Sequence, residues 1–89
     1  MHDAFCHALG SLHSRAEVEE FIHGILTATE RKMLAKRLAA ARMLLKGASY
    51  AEIRREVGIT NTTIAHVQTF LQSRGEGMRR LLQKSKAGT

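Results

Sequence analysis

The sequence predicts an all-α protein that contains a helix-turn-helix, and three observations support this prediction. The chain of 89 residues has no proline and few aromatic residues, whereas alanine and leucine are abundant, a composition that favours helices over strands. Apolar residues recur at helical spacing along most of the chain. Three segments open with the pattern Ser/Thr-x-x-Glu, which caps helix N-termini. A chain of this length is expected to form one domain with five or six helices.

The first two helices are predicted over residues 3–12 and 15–26. The first places its apolar residues on one face: Phe5, Ala8, Leu9 and Leu12. The second repeats them at i, i+3, i+4, i+7 and i+8: Val18, Phe21, Ile22, Ile25 and Leu26. Ser14 and Glu17 form the first capping pattern, in which each side chain accepts a hydrogen bond from an otherwise unpaired backbone N–H.

The longest helix is predicted over residues 28–46, and Thr27 with Glu30 caps its start. Its apolar stripe is wide and includes several alanines: Leu34, Leu38, Ala41 and Leu45, flanked by Met33, Ala39, Ala40, Met43 and Leu44. A helix with so wide a stripe needs partners on more than one side. In so short a chain we expect a second subunit to supply one of them, and a compact monomer with a crowded core is the alternative.

Residues 49–71 predict a helix-turn-helix. Ser49 and Glu52 cap the first helix, and Gly47 and Gly58 stand where helix ends need a left-handed residue. Apolar residues and the turn glycine occupy the positions that this motif favours: Ile53, Val57, Gly58, Ile59, Ile64 and Val67.

The second helix of this motif is expected to begin at Thr60 or Asn61 and to address DNA bases with its N-terminal residues. The candidate base-contacting residues are Asn61, Thr62, Thr63, Ala65, His66 and Gln68. Arg54 and Arg55, on the preceding helix, are the candidates for phosphate contacts. The alternative is that Thr60 or Asn61 only caps the helix and that the arginines are only solvated.

The sequence "GEG" at residues 75–77 breaks the helical pattern, and residues 75–89 are expected to form a short basic helix and a frayed tail. We therefore divide the single domain into three parts: dimerisation helices over 1–46, the helix-turn-helix over 49–71, and this C-terminal segment.

Charge is distributed unevenly along the chain. Residues 1–30 hold one basic and five acidic residues, hence a net charge of −4, and residues 31–89 hold thirteen basic and three acidic residues, hence +10. A basic region of this kind favours a polyanionic partner such as nucleic acid. Cys6 is the only cysteine, which excludes an intramolecular disulfide and fits a reducing cytoplasm. No apolar run approaches the ~20 residues of a membrane span, and the N-terminus lacks signal-peptide order, so we expect a cytoplasmic protein.

The segment "ILTATERKMLAKRLAAARMLLKGASYAEIRREVGITNTTIAHVQTFL", about residues 25–71, resembles the Trp repressor superfamily. It carries the ordered pattern L-T-x-x-E-R, an arginine six residues on, L-L-x-G, S-x-x-E-[LI], x-x-E-[LV]-G and T-I. Arg54 stands where most helix-turn-helix motifs have a small residue, and a basic residue there is typical of this superfamily. The chain is most similar to its small YerC/YecD-like branch, whose ligand is not assigned.

The resemblance implies an all-α, intertwined homodimer that acts as a DNA-binding transcriptional regulator, and we expect it to act as a repressor. Asn61, Thr62, Thr63 and Ala65 match DNA-facing positions of the family, and Arg54 matches a phosphate-contacting one. Part of the tryptophan pocket is also matched, by Leu26, Thr27 and Arg37.

The rest of that pocket is not matched. His66 stands where the repressor has an arginine packed on the indole, and Val67 replaces the following glycine. A neutral imidazole lacks the permanent charge and planar fork of a guanidinium. We therefore expect no cofactor and no tryptophan-dependent regulation.

The sequence offers weak signals for two other functions, metal binding and catalysis. The pairs His2 with Cys6 and Asp3 with His7 have i, i+4 spacing that suits a metal, but chance proximity near the chain end explains them better, and we expect no metal site. No catalytic arrangement or phosphate-binding glycine loop is present, so we expect no enzyme. The remaining alternative to a DNA-binding regulator is a small dimeric interaction module or adaptor, for which only Phe70 and Leu71 offer an apolar surface on the second helix.

Overall fold

The computed structural model describes residues 1–86, and it is all-α, as predicted. Five helices follow one another: α1 (His2–Gly10), α2 (Arg15–Ile25), α3 (Ala28–Leu45), α4 (Tyr50–Val57) and α5 (Asn61–Lys86). The described residues contain no strand. The frayed tail predicted at the C-terminus falls largely on residues 87–89, which lie outside the described part of the chain.

The predicted caps form at the starts of α2 and α3. Thr27 Oγ1 accepts a hydrogen bond from Glu30 N at 3.1 Å, and Glu30 Oε1 accepts one from Thr27 N at 2.8 Å, which completes the capping box. At α2, Ser14 Oγ accepts from Glu17 N at 3.1 Å. The reciprocal bond differs from the prediction, because Glu17 Oε1 accepts from His13 N, one residue before the cap, at 2.7 Å.

Contacts divide the chain into two compact units, an N-terminal unit of residues 1–32 and a C-terminal unit that begins at Met33. In the N-terminal unit the rings of Phe5 and Phe21 lie with their centroids 6.3 Å apart. Neither α1 nor α2 contains a buried residue. Their exposed large apolar side chains include Phe5, Leu9, Val18 and Ile25. The apolar faces predicted for both helices are therefore largely uncovered.

The C-terminal unit holds the buried core, which consists of two clusters. The first is formed by Ala40, Ile53 and Ile64, each 0% exposed. The second is formed by Ala41, Val67 and Leu82. Adjacent alanines of α3 thus contact different parts of α5, and their small side chains allow the helices to approach closely.

The apolar stripe of α3 divides along its length. Its C-terminal half lies in the two clusters or packs against them, through Ala40, Ala41, Met43, Leu44 and Leu45. Its N-terminal half is open: Met33 is 41% exposed, Leu34 51% and Leu38 41%. The sequence predicted that this helix needs more than one partner, and within the described residues only the C-terminal end of the stripe is covered.

The helical path of α5 is interrupted where the sequence predicted a break. Gly75 has φ 54° and ψ −129°, which lies outside the helical region and in a region that only glycine adopts readily. Beyond it, Leu82 is buried and Met78 is half-buried against the second cluster. Helical spacing predicts that Met78, Leu81 and Leu82 share one apolar face, but Leu81 is 61% exposed. The segment after Gly75 therefore packs through a narrower face than predicted.

Candidate nucleic-acid interface

The turn between α4 and α5 is built from local hydrogen bonds. Gly58 ends α4 with φ 78°, and its N–H donates to the Arg54 carbonyl at 3.0 Å. A positive φ of this kind favours glycine. Thr60 then caps α5, since its Oγ1 accepts from Thr63 N at 3.2 Å. The capping role considered for Thr60 is confirmed, and Asn61 becomes the first residue of the helix.

Buried anchors fix which side of α5 faces outward. Ile53 of α4 and Ile64 of α5 are fully buried, and Val67 is 6% exposed. Val57 and Ile59 pack against them as half-buried residues. The inward-facing residues predicted for the helix-turn-helix are confirmed. Asn61, Thr62, Ala65 and His66 lie on the exposed side of the helix.

Two predicted contact residues are half-buried and hydrogen-bonded within the protein. Thr63 Oγ1 lies 3.1 Å from Thr60 Oγ1. Gln68 Oε1 accepts a hydrogen bond from the Tyr50 hydroxyl, which joins the start of α4 to the middle of α5. The two residues are 18 positions apart in the sequence, and helical periodicity does not predict contacts over that distance. The sequence therefore did not indicate Tyr50 as the partner of Gln68.

The two candidate phosphate-contacting residues differ in their surroundings. Both Arg54 and Arg55 are exposed on α4. Arg54 Nη1 donates a hydrogen bond to Asn61 Oδ1 across the turn. The structure thus brings together a residue predicted to contact phosphate and one predicted to contact a base, which the sequence treated as independent.

The residues matched to the tryptophan pocket occupy varied surroundings. Thr27 caps α3, and the Leu26 carbonyl accepts a hydrogen bond from Arg31 Nη1 at 2.9 Å. Arg37 and His66 are exposed in the C-terminal unit, whereas Val67 is part of its second buried cluster. The valine that replaces a glycine is therefore a core residue of this chain.

The C-terminal unit also contains an open groove that the sequence did not indicate, with a volume of about 440 Å³. It is lined by apolar and polar residues: Leu44, Leu45, Gln68, Leu71, Gln72, Gly75, Glu76 and Arg79. Arg79 Nε lies 4.0 Å from Glu76 Oε1, and both side chains are at least half-exposed. An exposed pair of this kind contributes little to stability. Gly75, where the helix bends, is one of the lining residues. The sequence predicted a break there but not the direction in which the chain continues, so it did not predict the groove.

The histidine and cysteine of α1 that have metal-ligand spacing lie close together in the structure. Cys6 Sγ lies 3.9 Å from both ring nitrogens of His2. Within residues 1–86, no group of three or more histidine, cysteine, aspartate or glutamate side chains is placed to hold a metal ion. The pair therefore has no third ligand in the described part of the chain.

The fold and this surface define a helix-turn-helix protein. The chain matches the family model described as Trp repressor protein over residues 1–86, and it belongs to that family. It is 31% identical over 84 residues to the uncharacterized protein YerC of Bacillus subtilis (strain 168), covering 94% of this chain and 81% of YerC. No solved structure matches the chain.

Membership in the family indicates a DNA-binding regulator and not an enzyme. The predicted resemblance is confirmed, including its branch. Among the described helices, none is long and apolar enough to cross a membrane.

Two threonine-to-alanine substitutions distinguish the stabilising effect of the α5 cap from that of an exposed threonine on the same helix. Thr60→Ala removes the side-chain acceptor of Thr63 N–H and should lower the free energy of unfolding by about 1 kcal/mol. Thr62 lies two residues further along the chain and is exposed. Thr62→Ala should therefore change the free energy of unfolding by less than about 0.5 kcal/mol. Urea denaturation at one protein concentration measures both. Equal losses of stability would contradict the assignment of Thr60 as the cap.

Proposed function

We propose that this protein is a homodimeric transcriptional regulator that binds specific double-stranded DNA through residues 49–71 and acts as a repressor. The observation that carries the proposal is the start of α5, where polar side chains are exposed on a helix whose opposite side is fixed by Ile53, Ile64 and Val67. A helix anchored in this way can enter the major groove with a defined orientation.

The exposed residues of α5 have the chemistry that base recognition needs. Thr62 offers a hydroxyl and a methyl group, and Ala65 offers a methyl group for contact with thymine. Asn61 and His66 offer polar groups for base edges. Thr63 and Gln68 bond within the protein through one atom each and keep further hydrogen-bonding capacity, so we retain both as contact residues.

Phosphate attraction is assigned to the C-terminal two-thirds of the chain. Residues 31–89 have a net charge of +10, and Arg54 and Arg55 lie exposed on the helix that precedes the recognition helix. Basic side chains that neutralise phosphates release counterions from DNA, which makes binding strongly dependent on salt. We therefore assign both arginines to the DNA backbone.

Dimerisation is inferred from uncovered apolar surface. The helices α1 and α2 bury no residue, and Met33, Leu34 and Leu38 of α3 are each more than 40% exposed. Two amphipathic helices without a buried core residue are not stable alone in water. A second copy of the chain would cover the apolar faces of α1 and α2 and the exposed residues of α3. This arrangement is the intertwined dimer that the sequence led us to expect.

An adaptor function has one supporting observation, the 55% exposure of Phe70 on α5. Leu71, the other candidate, is half-buried and packs against the second core cluster. A single exposed phenylalanine is a small apolar patch. DNA binding is therefore the function that the surface supports better, and a test with DNA decides between the two.

Regulation by tryptophan is not part of the proposal. The pocket needs a planar cation against the indole and a residue without a side chain beside it, and here these positions hold His66 and the core residue Val67. The missing planar cation costs on the order of 1–3 kcal/mol, as an unpaired buried polar group does, and the added bulk of Val67 costs about the same, as overpacking does. Two such losses would move a micromolar ligand to about millimolar.

The dimer is tested by mass in solution. Sedimentation equilibrium at micromolar concentration should give twice the chain mass of 9.9 kDa. Leu38→Glu should dissociate or unfold the protein, because the dimer would bury an unpaired charge. Ala51→Glu introduces the same charge on the exposed surface of α4 and should remain dimeric. A well-folded monomer of the unchanged protein would contradict the proposal.

DNA binding is tested by its dependence on salt. Arg55→Ala should weaken binding to specific and random duplexes equally and lower the slope of log affinity against log salt by about one unit. Arg15→Ala removes an exposed arginine that pairs with Glu19 in the acidic N-terminal region and should leave the affinity unchanged. Fluorescence anisotropy over a series of salt concentrations measures both, and identical behaviour of the two variants would argue against the assignment of Arg55.

Tryptophan is tested by calorimetric titration of the dimer. No saturable heat should appear below about millimolar tryptophan, and DNA affinity should be the same with and without it. Binding in the micromolar range would contradict this prediction and would restore a tryptophan-dependent repressor.

A further inference from the structure

We propose that Arg54 is a positioning residue that orients the Asn61 amide, so that Asn61 reads a hydrogen-bond acceptor on the DNA base and discriminates against cytosine. The inference deepens the proposed function and rests on it. It names the chemistry of one base contact, which membership in the family does not specify.

The orientation of the amide follows from the chemistry of its partner. A guanidinium has N–H donors and no acceptor, so the amide atom that faces it has to be the oxygen. Arg54 Nη1 donates to Asn61 Oδ1 across the turn. The amide therefore turns its oxygen toward Arg54 and presents its nitrogen to a partner outside the protein.

The position of Asn61 makes this nitrogen relevant to DNA. Asn61 is the first residue of α5 and is exposed, and the N-terminal residues of a recognition helix are those that reach base edges. The backbone on both sides is fixed, since Gly58 ends α4 in a left-handed conformation and Thr60 caps α5. The side-chain bond adds a third constraint across the same turn.

An Asn61 amide whose oxygen is held toward Arg54 reads DNA differently from an unconstrained asparagine. An unconstrained asparagine grips adenine with two bonds, in which its oxygen accepts from N6 and its nitrogen donates to N7. With the oxygen bonded to Arg54, the donor is matched best by guanine, which presents the N7 and O6 acceptors side by side. Cytosine presents only the N4 donor in the major groove and is the poorest partner.

Arg54 keeps its proposed role at the DNA backbone. One of its nitrogens bonds to Asn61, and the remaining donors of the guanidinium stay available for a phosphate oxygen. A phosphate contact would hold the guanidinium in place during binding and would thereby keep the amide oriented. Arg54→Ala should consequently reduce affinity and also change base preference, whereas Arg55→Ala should only reduce affinity.

The experiment is selection from a random duplex library by the full-length protein, followed by sequencing, for the unchanged protein and three variants. The unchanged protein should select a site in which one base position per half-site favours guanine and disfavours cytosine. Arg54→Ala frees the amide oxygen and should raise adenine relative to guanine at that position by at least about fivefold, the low end for a bidentate contact. Asn61→Asp removes the donor and should move the preference there to cytosine, whose N4 a carboxylate accepts.

Arg55→Ala is the matched control, since it removes the neighbouring exposed arginine of the same helix and should leave every base preference unchanged. Circular dichroism and thermal unfolding confirm that each variant is folded. A selected site that Arg54→Ala and Asn61→Asp leave unchanged overturns this inference alone. An unchanged protein that enriches no sequence overturns the proposed function and this inference with it.

Discussion

The contact of Ile53 with Ile64 over Ala40 is the constraint on which the rest of the C-terminal unit depends. All three residues are fully buried, and they come from three different helices. The helix α4 has only eight residues, too few to be stable without tertiary contacts. Burial of each isoleucine side chain contributes about 1.5–3 kcal/mol. The residue that α3 contributes to this contact, Ala40, has a small side chain, so α4 and α5 can both lie close to α3. The turn between α4 and α5 therefore has little conformational freedom.

Polar side chains then order the outer surface of this arrangement. Tyr50 bonds to Gln68, and Arg54 bonds to Asn61, each time from α4 to α5. Long side chains lose up to about 2 kcal/mol of conformational freedom when they are immobilised. Part of that cost is met when the protein folds, so less remains to be met when a partner binds. The same two hydrogen bonds also restrict which side-chain atoms of α5 can bond to DNA. In the function that we propose, they would therefore both order the surface and contribute to its base selectivity.

The sequence predicted those features that depend on neighbouring residues. Helix starts were predicted because a cap such as Thr27 with Glu30 acts within one turn, and the break at Gly75 was predicted because a glycine pair disrupts helical periodicity. The buried positions of the helix-turn-helix followed from apolar spacing alone. Contacts between distant side chains were not predicted, since the Tyr50–Gln68 bond depends on how the helices cross. The sequence predicted that the whole α3 stripe needs partners on more than one side, but it did not indicate that the exposed residues would be those of its first half, Met33, Leu34 and Leu38.

The separation of charge along the chain relates the proposed dimerisation to the proposed DNA binding. The first 30 residues have a net charge of −4 and the remaining 59 have +10. Attraction to phosphates is therefore expected from residues 31–89, whereas the helices α1 and α2 lie in the acidic part. A dimer brings two basic units to one DNA molecule, and the second contact becomes intramolecular once the first has formed. Because each neutralised phosphate adds to the salt dependence, the dimer must lose affinity with added salt more steeply than a single unit. In the dimer that we propose, a substitution that weakens the apolar contact between copies should therefore also weaken DNA binding.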